Sequence, residues 1–349
     1  MQYFFFVLSI ILVIITFIPL IKNEYWIFRV CDYPRLQKLV LTTICIVFLA
    51  FYSSGKEYDF NDLLLLIMVV NACYLLKQIL PFTGLGKKHV QRITTEIPEN
   101  GFSVMISNVY QFNTNYKGCL EEISKANPDV VLLLETPAVW EKETNSLEEH
   151  FPFYKKVPLE NTYGMLLYSK LQLRDTEVKY LVENDIPSIH TQIILPGGQA
   201  VQMYAVHPEP PVPMENPTSK ERDKELLLVA DLAKDSDLPV IVIGDLNDVA
   251  WSYTTELFLK MSGLLDPRRG RGFYNSFHAH YPFLRFPLDH AFISTHLKIR
   301  EMKRLHNFGS DHFPIFISLQ YEAAAELEQD EMQPDSEDIA IAEEKKGAN

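Results

Sequence analysis

Residues 240–247 read Val-Ile-Val-Ile-Gly-Asp-Leu-Asn, four β-branched residues followed by a turn that carries a carboxylate and an amide. A short apolar run that ends in turn residues predicts a buried strand. The same arrangement recurs along the chain, since Asn108, Glu135 and His207 each follow another apolar run. Strand ends in layered α/β proteins meet at one rim. We therefore expect these polar side chains to converge on a single site.

The region around this run, residues 101–320, alternates strand-like and helix-like stretches. Helices are expected at residues 116–125 and 219–232. The expected strands share short apolar runs and lie at residues 102–106, 130–134, 163–168, 190–195, 201–206, 240–243, 290–293 and 313–319. Many strands with few interleaved helices predict two packed sheets flanked by helices.

The first 85 residues are of a different composition, with long apolar runs at residues 1–21, 36–52 and 62–82. Each run approaches or reaches the roughly 20 residues that a helix needs to cross a bilayer. We predict three transmembrane helices in residues 1–85 and a polar linker at residues 86–100. Two alternatives are a cleaved signal peptide for the first run, which lacks a basic start, and a buried or re-entrant helix for the second.

Basic residues near the ends of the runs predict the orientation, because Lys and Arg are retained on the cytoplasmic side. The loop at residues 53–61 has only Lys56, whereas the other two flanks hold most of the positive charge. These flanking residues are Lys22, Arg29, Arg35, Lys38, Lys87, Lys88 and Arg92. The large domain is therefore expected in the cytoplasm. Its one cysteine, Cys119, cannot form a disulfide within that domain.

The net charge of -13 is unevenly distributed, since residues 321–349 hold ten Asp and Glu against two Lys. Such a segment buries little apolar surface, so we expect an acidic disordered tail at residues 321–349. Sequence-independent duplex binding needs a basic face that neutralises several phosphates, and the overall charge does not indicate one. DNA is therefore not the expected substrate.

Glu135, Asp245 and Asp311 would bring oxygen donors to the predicted rim. Oxygen ligands suit Mg²⁺ or Mn²⁺ better than Zn²⁺. Phosphate esters are the natural substrates of such a site, because the metal neutralises charge that develops on the phosphorus oxygens.

These motifs together resemble the endonuclease/exonuclease/phosphatase superfamily over residues 101–320. The resemblance rests on Asn108, Leu134-Glu135, Gly244-Asp245-Leu246-Asn247 and Gly309-Ser310-Asp311-His312 followed by Phe313-Pro314. The chain also resembles uncharacterised bacterial multi-span membrane members, in the proline-rich loop after His207, in residues 250–252 and in the Leu-Asp-Pro-Arg segment at residues 265–268. That likeness implies a bacterial inner membrane location.

The superfamily resemblance implies a four-layer αββα sandwich of the DNase I-like type and a water attack on phosphorus. His312 would be the general base, oriented by Asp289. Asp245 would position or polarise the water, while Asn247 and His207 would hydrogen-bond the phosphate. Many members have a leucine after the histidine that corresponds to His207, whereas this chain has Pro208.

By the same resemblance, Glu135 would hold the metal, Mg²⁺ or Mn²⁺, with help from Asn108 and Asp311. Three further basic residues, Arg268, Arg271 and Arg285, could grip a second phosphate or a lipid headgroup, because guanidinium groups bind phosphate bidentately. The alternative is that they are surface charges or form ion pairs that fix loops.

Three functions are consistent with these observations. The first is a metal-dependent phosphoesterase, acting on a lipid or another phosphoester near the membrane. The second is a membrane-bound endo- or exonuclease, which would need a local basic groove around residues 268–271 and Arg285. The third is a non-catalytic scaffold that retains the fold.

Overall fold

A computed structural model describes residues 2–52 and 60–347. Two β-sheets form the centre of the protein. The first sheet has the strand order β10-β11-β1-β2-β4-β3 and the second has the order β5-β6-β7-β8-β9. The strands are β1 Gly101–Asn108, β2 Val130–Leu134, β3 Phe153–Val157, β4 Met165–Ser169, β5 Gln172–Lys179, β6 Ser188–Ile194, β7 Ala200–Val206, β8 Val240–Asp245, β9 Asp289–Ile293, β10 Leu297–Arg304 and β11 Ile315–Tyr321.

The helices lie N-terminal to the sheets and on their outer faces. They are α1 Gln2–Phe17, α2 Trp26–Val30, α3 Arg35–Tyr52, α4 Phe60–Ile79, α5 Tyr116–Ala126, α6 Ala138–Glu143, α7 Lys220–Lys234, α8 Tyr253–Ser262 and α9 Ser336–Gly347. The predicted loop with Lys56 falls in residues 53–59, outside the described residues.

The main core lies between the two sheets, where buried Val104 and Ile106 of β1 belong to the same cluster as Ile241 and Ile243 of β8. On the outer face of the first sheet, α5 and α6 pack through a second cluster that includes Trp140. On the outer face of the second sheet, α7 and α8 pack through a third cluster. The result is the expected sandwich of two sheets between two helical layers.

Two parallel strand pairs align the ends of four strands. In the first sheet Asn108 of β1 lies opposite Leu134 of β2, and in the second Val206 of β7 lies opposite Gly244 of β8. The backbone φ of Gly244 is 150°, and a Cβ atom added there would lie 1.8 Å from the carbonyl oxygen of Val206. Only glycine fits this position, which brings the start of the predicted Asp-Leu-Asn turn beside the end of β7.

Three strands were not predicted, and each is at or beside an edge. β3 and β10 are the edges of the first sheet, and β5 is an edge of the second. Their sequences are rich in charge, as in Gln-Leu-Arg-Asp-Thr-Glu-Val-Lys for β5. Edge strands expose polar groups to water and carry charge that discourages pairing with other chains. They therefore lack the apolar run by which the central strands were recognised.

The N-terminal helices α1, α3 and α4 pack against each other through a small buried cluster that includes Leu12, Leu49 and Met68. Many apolar side chains on their other faces are exposed. By length and composition, Tyr3–Ile21 and Phe60–Phe82 are apolar enough to cross a membrane. The third predicted span corresponds to α3. Over the described residues it is not one of these two candidate spans, so it stays a prediction.

The segment between α1 and α3 docks on the side of the sandwich that carries β8 and β9. The Trp251 indole N–H donates to the carbonyl of Asp32 at 2.9 Å, and the Tyr33 hydroxyl donates to the carbonyl of Asn247 at 3.0 Å. Arg29 forms a buried ion pair with Asp223 of α7 at 3.5 Å. The N-terminal helices are thus fixed to the loop that follows Asp245.

The C-terminal segment corrects the expectation of a disordered tail at residues 321–349. Helix α9 packs on α7 and α8, with Ala342 buried beside Leu227 and Leu257. Lys345 Nζ lies 2.9 Å from Asp223 and 2.7 Å from Glu24. The acidic composition did not reveal that α9 has one apolar face and that Lys345 pairs with the buried carboxylate of Asp223.

Replacing Ala342 by Asp should detach α9, because the site offers no room for a carboxylate and burying its charge costs several kcal/mol. Hydrogen–deuterium exchange followed by mass spectrometry should show α9 amides protected in the wild-type protein and exchanging about tenfold faster or more in Ala342→Asp. Glu344→Gln, at an exposed position of the same helix, is the control. Rapid exchange of α9 in the wild-type protein would contradict the docked tail.

Candidate active site

His312 and Asp289 form the centre of the predicted site. His312 Nδ1 lies 2.7 Å from Asp289 Oδ2, and its Nε2 lies 3.5 Å from Asp245 Oδ2. All three side chains are buried. The short contact indicates that the Nδ1–H donates to Asp289, which orients the ring with Nε2 toward Asp245.

The two carboxylates control the proton affinity of this histidine. Burial disfavours the imidazolium, but the charges of Asp289 and Asp245 outweigh it and raise the pKa of His312 to about 10. In the opposite sense, burial would raise the pKa of Asp245, but the positive charge of His312 lowers it. His312 and Asp245 thus form an ion pair when no other cation is near.

Asn108 joins the two sheets at the rim. Its Nδ2 donates to Glu135 Oε1 at 2.8 Å and to Asp245 Oδ2 at 3.1 Å. The amide orientation is fixed because Oδ1 accepts the backbone N–H of Tyr110 at 3.0 Å. The NH₂ group therefore faces both carboxylates and holds them on either side of one point.

Glu135 adopts a left-handed backbone conformation, with φ 58°, directly after β2. Non-glycine residues are uncommon there, and such strain is frequent at functional sites. The backbone N–H of Gln111 donates to Glu135 Oε2 at 3.2 Å, so both oxygens have a donor. Desolvation by the surrounding protein nevertheless raises the pKa of Glu135 to about 7.

His207 and Asn247 both lie at this rim. Burial lowers the pKa of His207 to about 4, so its ring is neutral at pH 7. Its Nδ1 is buried and has no hydrogen-bond partner among the described residues. Asn247, with φ 50°, uses Nδ2 to donate to the carbonyl of Pro208 at 3.0 Å, so it ties the end of β8 to the loop after His207.

The residues fit a divalent cation by their donor chemistry. Buried atoms of Asp245, Asp289 and His312 lie within 4.8 Å of one another. The predicted set of Glu135, Asn108 and Asp311 differs from that group but adjoins it through the Asn108 amide. Burial and the charge of Asp311 both raise the pKa of Glu135, whereas the Asn108 hydrogen bond and the positive charge of His312 act in the opposite sense.

Two of the three predicted phosphate-binding arginines have structural roles, which corrects that expectation. Arg268 is buried, donates through Nε and Nη2 to both carboxylate oxygens of Asp266, and lies 2.5 Å from His290 Nδ1. Arg271 donates to the carbonyls of Pro267 and Val90. Arg268 thus forms the kind of ion pair that the alternative interpretation described, and Arg271 is bound to two backbone carbonyls.

Arg285 lies at the rim beside the residue that follows His312. Its guanidinium is 4.9 Å from the centre of the Phe313 ring, and the guanidinium of Arg304 is 4.3 Å from the same ring. Arg285 Nη2 donates to the carbonyl of Ala279 at 3.1 Å. Arg304 was not predicted, because it lies within a charged edge strand and only the fold brings it here.

Two serines that had no predicted role fix the backbone of the site. Ser310 Oγ donates to the carbonyl of Asn108 at 2.8 Å and accepts the N–H of His312 at 2.9 Å. Ser276 Oγ accepts the N–H of Asp289 at 3.0 Å. The sequence could have indicated Ser310, because it lies in the Gly-Ser-Asp-His motif. Nothing around Ser276 in the sequence distinguishes that residue.

A buried acid–histidine–acid group at one rim of an αββα sandwich is the arrangement of a hydrolase-type site. The family comparison agrees, since the model of the Endonuclease/Exonuclease/phosphatase family matches residues 105–312. This match spans more than half of the chain, which therefore belongs to that family. No curated protein matches the sequence.

Solved structures share the fold at low sequence identity. A humanized TDP2 from D. rerio is 17% identical with a TM-score of 0.54, and the alignment covers 63% of this chain and 99% of that one. A family protein from Beutenbergia cavernae is 17% identical with a TM-score of 0.52, covering 64% and 72%. The human Nocturnin catalytic domain is 16% identical with a TM-score of 0.52, covering 69% and 99%.

Replacing Asp289 by Asn should lower the pKa of His312 by about 1–3, because one of the two carboxylates that favour the imidazolium loses its charge. Nuclear magnetic resonance of ¹⁵N-labelled histidine in the metal-free protein measures this pKa directly. Asp175→Asn, on exposed β5, should leave it unchanged. An unaltered pKa in Asp289→Asn would show that Asp289 does not govern His312.

Proposed function

We propose that this protein is a membrane-anchored, divalent-metal-dependent phosphoesterase. The observation that carries the proposal is the buried group of His312, Asp289 and Asp245, placed next to Glu135 by the Asn108 amide. A base, a water-orienting carboxylate and a separate carboxylate for a cation are the parts that hydrolysis of a phosphoester requires.

In this proposal the attacking water lies between His312 and Asp245. His312 Nε2 and Asp245 Oδ2, 3.5 Å apart, can both accept hydrogen bonds from one water molecule. As that water attacks phosphorus, Nε2 takes one of its protons and the bond from phosphorus to the leaving oxygen breaks, which releases the alcohol. The Nδ1–H of the resulting imidazolium stays hydrogen-bonded to Asp289. Asp289 thus stabilises the charge that His312 acquires.

Neighbouring neutral groups serve the phosphate. His207 stays neutral because burial lowers its pKa to about 4, so its ring presents one N–H donor without adding a charge. Asn247 uses one amide hydrogen on Pro208, which leaves the other to donate to a phosphoryl oxygen. Donors directed at developing negative charge stabilise the transition state more than the ground state.

Glu135 and Asp311 would hold Mg²⁺ or Mn²⁺, and the Asn108 NH₂ group would orient the Glu135 carboxylate. When bound, the cation supplies charge neutralisation on the phosphate oxygens. A positive charge at Glu135 also opposes the imidazolium of His312, whose pKa of about 10 would otherwise leave little neutral base at pH 7. The oxygen donors at Glu135 and the high pKa of His312 therefore both support a bound cation at this site.

Membrane anchoring is supported by the apolar helices that include Tyr3–Ile21 and Phe60–Phe82, with α3 as the proposed third span. The basic residues that flank them favour a cytoplasmic catalytic domain, and a bacterial inner membrane is proposed from the resemblance to bacterial multi-span members. An anchor raises the local concentration of any substrate in or near the bilayer. Phosphoesters there, as diesters or monoesters, are the proposed substrates.

A membrane-bound nuclease is the second candidate. One structural neighbour is D. rerio TDP2 in complex with a single-strand DNA product, 17% identical to this chain. The paired guanidinium groups of Arg285 and Arg304 beside Phe313 provide a local cationic surface. The net charge of -13 disfavours extended backbone binding, so this candidate ranks second. A non-catalytic scaffold is the third interpretation.

The test is hydrolysis by the full chain in lipid nanodiscs, with Mg²⁺ or Mn²⁺, of a generic phosphodiester, a phosphomonoester, supercoiled DNA and a phospholipid. His312→Ala should lower turnover by about 10²–10⁴-fold, the usual contribution of a general base. His150→Ala, at an exposed position remote from the rim, should retain it.

Loss of turnover on removal of the metal, together with loss in His312→Ala, would establish the enzyme, and the substrate that is cleaved would separate esterase from nuclease. Equal turnover by wild-type and His312→Ala protein would contradict the proposed base. Metal-bound protein that cleaves no member of the panel would favour the scaffold.

A further inference from the structure

One loop connects the candidate site with the N-terminal helices, and we call residues 277–286 the interface loop. Its two ends pair with each other, since the backbone N–H of Phe277 donates to the carbonyl of Phe286 at 3.0 Å. The N–H of Ala279 donates to the carbonyl of Asp311 at 2.6 Å, and the Phe277 ring lies 5.0 Å from the His312 ring. The base of this loop is thus part of the wall of the site.

The tip of the interface loop is apolar and exposed. Tyr281, Phe283 and Leu284 are 58%, 86% and 53% exposed. Three neighbouring large apolar residues on a single loop form a patch of the kind that marks an interaction surface. Arg285 follows them directly and is half-buried at the rim.

The position of this tip relative to the helices identifies what covers it. Gln37, in the first turn of α3, donates through Nε2 to the carbonyl of Phe283 at 2.7 Å. The apolar stretch of α3 begins two residues later, at Leu39, and includes exposed Val40 and Leu41. With α3 as the proposed third span, Gln37 lies where the helix passes from headgroups into hydrocarbon, and Phe283 lies beside it.

We propose that the tip of the interface loop inserts into the bilayer interface and opens the site toward phosphoester lipids of the same leaflet. Aromatic rings and leucine side chains partition at this depth, as in the aromatic belts of membrane proteins. This inference rests on the proposed membrane anchoring, and it specifies the substrate class of the same site.

The geometry also accounts for a cationic pair at the entrance. Arg285 and Arg304 lie against the ring of Phe313, the residue after His312, and Arg285 directly follows the apolar tip in the sequence. These guanidinium groups would attract a lipid phosphate at headgroup level. A protein partner would not require the tip to lie beside the end of an apolar helix. The hydrogen bond from Gln37 to Phe283 holds the tip beside the start of α3.

Depth can be measured without any activity. A Phe283→Trp variant in vesicles that contain lipids brominated on the acyl chains should show strong tryptophan quenching above the wild-type baseline of three native tryptophans. Tyr154→Trp, on edge strand β3 across the first sheet from β10, is the matched control and should show none. Equal, low quenching of both variants would overturn the insertion, and a protein partner would then be the occupant of the tip.

Activity tests the substrate class. In the bilayer-embedded full chain, the triple variant Tyr281→Ser, Phe283→Ser and Leu284→Ser should lose about tenfold or more of its turnover of a vesicle phospholipid, because it loses interfacial burial of three apolar side chains. Its turnover of a soluble phosphodiester should change less than about twofold, since that substrate needs no interfacial contact.

The outcomes separate this inference from the proposed function. Loss of both activities would show that the loop only supports the wall of the site, and loss of neither would show that the tip has no part in lipid access. A wild-type protein that cleaves the soluble ester but no lipid would overturn the substrate class alone. A wild-type protein that cleaves nothing would overturn the proposed function, while the quenching result would still decide whether the tip inserts.

Discussion

The amide of Asn108 is the contact on which the organisation of the site depends. Asn108 ends β1 in the first sheet, and its Nδ2 reaches both Glu135 in that sheet and Asp245 in the other. Two carboxylates repel each other in a setting of low dielectric constant, so a shared donor is needed to hold them together. The hydroxyl of Ser310 then binds the Asn108 carbonyl, which brings His312 to the same point.

The segment that leads into α3 supports this site from outside the sandwich. The carbonyl of Asn247, two residues after Asp245, accepts from the Tyr33 hydroxyl at 3.0 Å and from Arg222 Nη1 at 2.8 Å. Arg222 is buried and pairs with Asp223, which also pairs with Arg29. The N-terminal helices and the site are thus connected through buried contacts, so the proposed membrane anchoring by those helices would also fix the orientation of the site.

The central strands and the residues at their ends could be predicted because both follow from local sequence. An apolar run predicts a buried strand, and the polar residue that ends it, such as Asn108, Glu135 or Asp245, predicts a polar rim. The dyad of His312 and Asp289 came from resemblance, since no spacing rule brings together two residues 23 positions apart.

The rest depended on contacts between distant segments. The sequence alone leaves Arg268 free to bind phosphate, whereas in the fold its guanidinium contacts Asp266 and His290. The acidic tail looked unable to fold because its partners, Asp223 and Glu24, lie far away in the sequence. The contact of Phe283 with Gln37 is not visible in the sequence, because only the fold brings these residues together.

The central claim is that Glu135, held beside Asp245 by the Asn108 amide, forms with its neighbours a site for a divalent cation. Electron paramagnetic resonance of Mn²⁺ titrated into the full chain in nanodiscs tests it most directly. The account predicts saturable binding by the wild-type protein, affinity about 10–100-fold weaker in Glu135→Gln, and unchanged affinity in Glu143→Gln, an exposed control. Equal Mn²⁺ affinity of Glu135→Gln and wild-type protein would contradict the account.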